Sequence, residues 1–165
     1  MKHLCLIRHA KSSWKELGIA DFDRTLNKRG RYDALRMGER LKDLNAEPDL
    51  ILTSPAKRAL VTASTIAAKL GCGPAVVQSN DVLYGAVADD SLRIIRELDA
   101  NFNSAMFFGH NPSMTDLVNR LTDFKIDNMP TCGAFCAAFD VESWADVVEG
   151  RGTFVFFEYP KLLII

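Results

Sequence analysis

Apolar and polar positions divide this chain into strand-like and helix-like segments, most abruptly at its start. Leu4-Cys5-Leu6-Ile7 is a short continuous apolar run of the kind a buried strand makes, and it stops at Arg8-His9-Ala10-Lys11-Ser12-Ser13. A polar loop follows from Lys11 to Leu26, and a loop of that length in a compact domain points to function. Asn27 stands as an N-cap. Beyond it Ala34, Met37, Gly38 and Leu41 recur at helical spacing, with Leu44 closing the stripe, which predicts a helix of about four turns. Leu50-Ile51-Leu52 predicts a second buried strand, ending at Thr53-Ser54-Pro55. Ser54-Pro55 reads as a helix start, with serine as cap and proline in the first helical position. That helix runs to Leu70 and buries Leu60, Ala63, Ala67 and Leu70.

The pattern continues with a third short strand at Ala75-Val76-Val77. A cap at Asp89 or Asp90 then opens a short amphipathic helix carrying Leu92, Ile94, Ile95 and Leu98. Ser104 to Phe108 forms a fourth strand that runs into Gly109-His110-Asn111-Pro112. Pro112 marks the first turn of a helix whose Met114, Leu117, Val118 and Leu121 point inward. The last third changes character: Phe135–Val141 and Thr153–Glu158 read as strands joined by a polar turn around Glu142 to Gly152, suited to antiparallel edge pairing. The apolar tail Leu162 to Ile165 either docks on the body or meets a partner chain.

Composition narrows the class. At 165 residues, 48% hydrophobic and 25% charged, the chain is expected to form one domain with a core that needs no staple. A net charge of -1 and a pI near 6.3 give no general attraction for nucleic acid or an anionic membrane, so any anion binding is local. No apolar run approaches the ~20 residues of a membrane helix. Cys5, Cys72, Cys132 and Cys136 form no CxxC pair and read as reduced thiols of a cytoplasmic protein, Cys132 and Cys136 as buried core residues. Cys132 and Cys136 lack a second half-site, and neither a metal nor a cofactor is expected.

The candidate chemistry lies at three strand-to-helix junctions: Arg8-His9, Ser54-Pro55 with Arg58, and His110-Asn111-Pro112. If the strands are parallel neighbours, all three open onto one edge of the sheet, where ligands of α/β proteins bind. Arg58 sits in a first helical turn, where the dipole disfavours a cation. Two arginines, two histidines and several helix starts suit a phosphoryl group, and an imidazole among them could attack phosphorus to form a covalent intermediate. There is neither a phosphate loop of the GxxxxGK[ST] kind nor a dense Asp/His cluster.

Spacing alone does not pair His9 with His110; a resemblance does. Leu6-Ile7-Arg8-His9-Ala10-Lys11 resembles the Arg-His-Gly/Ala signature of the histidine phosphatase superfamily, the phosphoglycerate mutase-like group. Leu26-Asn27-Lys28-Arg29-Gly30 is similar to its Leu-Thr-x-x-Gly helix start, and Ser54 to Ala59 to its Ser-x-x-x-Arg-Ala segment. Gly109-His110-Asn111-Pro112 matches the form in small SixA-type phosphohistidine phosphatases. The resemblance implies an α/β fold: a three-layer α/β/α sandwich with a mostly parallel central sheet and an antiparallel edge, in a single histidine phosphatase domain over residues 1–165. It implies His9 as phosphorylated nucleophile and Arg8, Arg58 and His110 as the phosphate pocket. Arg24, in a stretch similar to the family's Asp-Arg-Pro-Leu, becomes a secondary anion contact or a loop ion pair with Asp21 or Asp23; Asn111 and Lys11 are rim candidates.

Larger relatives supply a carboxylic acid after the third strand. Here that loop offers Asp81, Asp89 and Asp90 but no clear Glu motif, with Asp81 or Asp89 as the candidate acid. An alkoxide leaving group needs an acid, whereas a phosphohistidine can lose neutral imidazole. The leading expectation is therefore a metal-independent phosphohistidine phosphatase acting on a phosphorylated protein, a phosphotransfer domain or phosphocarrier, as a monomer or weak dimer. A phosphatase of small phosphoesters and a non-catalytic phosphoprotein-binding module are the alternatives.

Overall fold

The computed structural model describes residues 1–163. The first apolar run forms strand β1 (Lys2–Arg8), followed along the chain by β2 (Leu50–Thr53), β3 (Val77–Ser79), β4 (Ser104–Gly109), β5 (Ala134–Phe139) and β6 (Thr153–Glu158). They make one six-stranded sheet in the order β3-β2-β4-β1-β5-β6. The first four strands run parallel, β5 runs antiparallel to β1, and β6 antiparallel to β5. The central strands are apolar on both faces, as a sheet covered on both sides requires. Leu4, Leu6, Leu52, Phe107 and Phe135 face one layer, containing helices α3 (Ala88–Arg96) and α4 (Ser113–Leu121). Cys5, Ile7, Ile51, Phe108 and Cys136 face the other, containing α1 (Lys28–Asp43) and α2 (Lys57–Lys69). The result is the three-layer α/β/α sandwich with an antiparallel edge. Each large side chain buried in it contributes about 1.5–3 kcal/mol.

Register decides what the sheet presents at its carboxyl edge. Arg8 pairs with Gly109 across β1 and β4, and Thr53 pairs with Phe108 across β2 and β4. The residues that follow, His9, Ser54 and His110, therefore emerge side by side.

Several boundaries differ from the sequence reading, each for a local reason. Helix α2 begins at Lys57, because the Ser54 hydroxyl accepts from the Ala56 amide and closes a turn before the helix starts. Its buried face is Ala59, Thr62, Ala63, Ile66 and Ala67, and Leu60 points outward. Pro74–Val76 is a 3-10 turn, so the third strand starts only at Val77. The cap of α3 is Val87, not Asp89 or Asp90; the Asp90 carboxylate accepts from the Val87 amide from inside the first turn. Strand β5 stops at Phe139, two residues short of the expected Val141.

Two predicted features keep their places. Asn27 caps α1 by accepting from the Gly30 amide at 2.8 Å, and the thiols of Cys5, Cys132 and Cys136 are unpaired and buried. The apolar tail docks on the body as far as Leu163, whose carbonyl accepts from Arg36; residues 164 and 165 lie outside the described residues. The polar turn after β5 hides a fully buried Trp144, whose indole donates to the Phe102 carbonyl at 2.8 Å. No helix among the described residues is long and apolar enough to cross a membrane.

The opening loop is held against α1 by close backbone approach. The Asn27 amide donates to the Lys11 carbonyl at 3.0 Å, and a β-carbon on Gly30 would lie 2.0 Å from that same oxygen. Gly30→Ala is therefore expected to lower unfolding free energy by about 2–3 kcal/mol through overpacking. Gly73→Ala, which meets open space, should change it by less than about 0.5 kcal/mol. Urea titration of both variants measures the difference, and equal midpoints would show that the loop yields freely.

Candidate active site

The carboxyl edge of the sheet gathers two imidazoles and two guanidinium groups. The His9 amide continues the β1–β4 ladder by donating to the Gly109 carbonyl at 3.0 Å. Its ring centroid lies 5.1 Å from that of His110, with the planes tilted by 54°. His9 Nδ1 is 2.8 Å from the Ala10 carbonyl oxygen. A carbonyl can only accept, so Nδ1 carries the ring proton and the Nε2 lone pair is free. The Ala10 peptide is itself anchored: its amide donates to Thr62 Oγ1 at 3.0 Å, and that hydroxyl donates to the Arg58 carbonyl at 2.7 Å. One hydroxyl on α2 thus holds the residue whose carbonyl orients the ring.

Burial sets the charge of both rings. It pushes the His9 pKa down to about 3, aided by the positive neighbours His110, Arg58 and Arg8 and opposed by the bond to Ala10. Burial first and Arg58 second bring His110 down to about 4. His110 Nε2 lies 2.8 Å from Ser54 Oγ. Both rings are neutral at neutral pH.

The guanidinium groups are held differently. Arg8 donates to the Met129 carbonyl at 2.9 Å, while its Nε is buried with no partner among the described residues. The brace around it comes from 129–133: the Gly133 carbonyl accepts from the Arg8 amide, and the Cys132 amide donates to the carbonyls of both Arg8 and His9. Cys132 makes that reach with φ at 60°, a left-handed conformation that costs a non-glycine residue free energy. Arg58 is 7% exposed and donates through one nitrogen to the Asp21 carbonyl at 2.7 Å and through another to the Asp21 carboxylate at 3.0 Å. The carboxylate also accepts from Tyr84 at 2.8 Å and from Arg24 at 2.9 Å. The Tyr84 hydroxyl above all, with Arg24 and Arg58, holds the Asp21 pKa down to about 2, so this carboxyl is ionised. The Tyr84 ring stands edge-on to His110 at 5.8 Å.

Cationic forks beside a free imidazole nitrogen can bind and orient a phosphoryl group, and comparison with known proteins agrees with that chemistry. The sequence profile of the histidine phosphatase superfamily (branch 1) matches residues 4–85. An uncharacterized protein of Mycobacterium tuberculosis is 32% identical over 94% of this chain and 100% of its own length. The chain belongs to the histidine phosphatase superfamily. An uncharacterized chloroplastic protein of Arabidopsis thaliana is 31% identical over 92% of this chain and 72% of its own. Among solved structures, a candidate phosphohistidine phosphatase SixA of Agrobacterium tumefaciens superposes with a TM-score of 0.82 at 27% identity, covering 96% of this chain and 98% of that one.

In this histidine phosphatase chain, the structure brings Arg8, His9, Arg58 and His110 together. Arg24 is engaged in the ion pair with Asp21, bonded to the Ser13 carbonyl and the Ser12 hydroxyl, and stacked on Trp14. Asn111 spends its amide on Asn128 and Met129 and its oxygen on Thr115, so it ties α4 to the brace rather than lining a rim. Lys11 is exposed. Neither candidate acid makes a side-chain bond to this network among the described residues: Asp81 lies exposed in the 3-10 turn Asp81–Leu83, its carbonyl accepting from the Tyr84 amide at 3.2 Å, and Asp89 is paired with Arg120 at 2.7 Å. The sequence reading missed Thr62, the 129–133 brace and the bond of Asp21 to Arg58. Thr62 carried a usable signal, a polar residue in an apolar helix stripe four positions after Arg58. The brace carried none.

The neutral rings give a titration with a definite sign. Because the folded pKa values are lowered, the unfolded chain binds more protons below pH 6.5. Stability from this source is full above that pH and is lost as pH falls toward 4. NMR of the ring nitrogens should show His9 uncharged at pH 5.5. Thr62→Val, by loosening the Ala10 bond that favours the charged ring, should lower its titration midpoint further, lower turnover about tenfold, and leave the fold intact; a His9 ring titrating near 6.5 in the wild type would contradict this account.

Proposed function

We propose that this histidine phosphatase transfers a phosphoryl group to His9 and then to water, and that its substrate is phosphohistidine on a partner protein. The observation that carries the reading is the tautomer: His9 Nδ1 is committed to Ala10, and Nε2 is left as the attacking nitrogen. Arg8, Arg58 and His110 would hold the non-bridging oxygens. A phosphate dianion between the rings would draw His110 toward its charged form and strengthen the charge-assisted bonds as the transition state spreads charge onto those oxygens.

The bonds balance without a dedicated acid. In the first step the His9 Nε2–P bond forms while the substrate N–P bond breaks, and the substrate ring leaves as neutral imidazole, its proton already on the distal nitrogen. In the second, water oxygen bonds phosphorus, the His9 N–P bond breaks, and the water's proton passes to phosphate or solvent. His9 leaves neutral because Nδ1 kept its proton. An alkoxide leaving group would need a protonated donor. Asp21 is held ionised, and neither Asp81 nor Asp89 bonds to the histidines or arginines of the site. This favours nitrogen over oxygen as the leaving atom. Family membership and the likeness to SixA support the reading.

The deciding assay is phosphate release from a histidine-phosphorylated carrier protein, in chelator, with para-nitrophenyl phosphate as ester control. Release from the carrier should outpace release from the ester. His9→Ala should abolish both, Arg58→Ala should lower them by about 10²–10³, and Asp81→Asn and Asp89→Asn should leave them unchanged. Faster turnover of the ester, with a loss in an Asp variant, would point to a small-molecule phosphatase. Retention of the phosphorylated carrier without turnover by the wild type would point to a binding module.

A further inference from the structure

The opening loop and the start of α1 border an open groove of about 570 Å³. It is lined by Lys11, Lys15, Lys28, Arg29 and Arg31, with Glu16 as its one acid. Such a concentration is unexpected in a chain of net charge -1. Three of the cations occupy the first turns of α1, where the helix dipole favours acids, and the first turn has none. Two of the five are engaged, Arg29 with Asp33 and Arg31 with the Leu26 carbonyl. Lys11, Lys15 and Lys28 are exposed and form no ion pair among the described residues. The groove is linked to the site through its lining: Lys11 follows His9 by two residues, and the Ser12 hydroxyl accepts from Arg24, which donates to Asp21 on Arg58.

We infer that this groove docks an acidic surface of the phosphorylated partner protein, placing its phosphohistidine over His9. The inference rests on the phosphohistidine reading and adds how the partner is recognised. Opposite charge steers encounter and fixes orientation, so a substrate with glutamate or aspartate beside its histidine gains in association rate. A nucleic acid would fit worse, because Glu16 interrupts the cationic lining that a continuous polyanion would follow.

The test uses two synthetic peptides carrying phosphohistidine, one flanked by glutamates and one by lysines, with para-nitrophenyl phosphate as a probe too small to reach the groove. The wild type should release phosphate from the glutamate-flanked peptide with a kcat/KM about tenfold higher, an advantage that shrinks with added salt. Lys15→Glu/Lys28→Glu should erase or reverse the preference while ester turnover stays as in the wild type. Lys15→Gln/Lys28→Gln should act in the same direction with a smaller effect. Equal turnover of both peptides by the wild type, or a preference untouched in the variants, overturns the docking inference and leaves the phosphohistidine reading standing. Ester turnover with no release from either peptide overturns that reading, and the inference with it.

Discussion

A histidine attacks phosphorus only through a nitrogen without a proton, and at this sheet edge that condition is met by one hydrogen bond, from His9 Nδ1 to the Ala10 carbonyl. The bond is useful because the residue that accepts it is anchored. Ala10 is held by Thr62 on α2, and the His9 amide is locked into the β1–β4 ladder. The ring is fixed at its base by the sheet and at its far side by a helix of the neighbouring layer. A parallel sheet with helices on both faces supplies both supports, which links the fold to the chemistry proposed for it.

The electrostatics follow from the same burial. Desolvation keeps both imidazoles neutral, and the arginines beside them reinforce it. The cationic charge of the site therefore resides on the guanidinium groups, which do not titrate in the physiological range. Asp21 answers that charge by bridging Arg58, Arg24 and Tyr84. A carboxylate so placed occupies part of the hydrogen-bonding capacity that an incoming phosphate would use. On the proposed reading, anion binding at Arg58 would compete with this carboxylate rather than fill a bare charge.

Much of this was legible in the chain itself, and the limits have physical causes. Strand cores announced themselves because strands buried on both faces are uniformly apolar, and Asn27 because a cap is a local event. Arg8, His9 and His110 stood out as polar groups at strand ends and Arg58 as a cation in a first helical turn, but the resemblance rather than spacing joined them into one pocket. Element starts were less legible: the Ser54 hydroxyl closes a turn instead of capping α2, and Pro74 opens a 3-10 turn instead of a strand. Asn111 looked like a rim residue because it neighbours His110, yet its amide answers to Met129, a partner that no spacing rule identifies. Contacts between distant segments, such as Arg8 with 129–133, leave no periodic trace.

That last contact bears on how the molecule is made. Strand β1 holds the proposed nucleophile, but its two sheet neighbours are β4 and β5, both about a hundred residues or more further along. As the chain leaves the ribosome, this apolar strand waits with both edges unpaired until about a hundred further residues have been synthesised. Such a strand is a template for mispairing with other chains. Contacts of this sequence separation also slow folding, since loop closure must precede them. The arrangement that places His9 at the centre of the sheet thus makes the nascent chain dependent on whatever shields that strand in the interval.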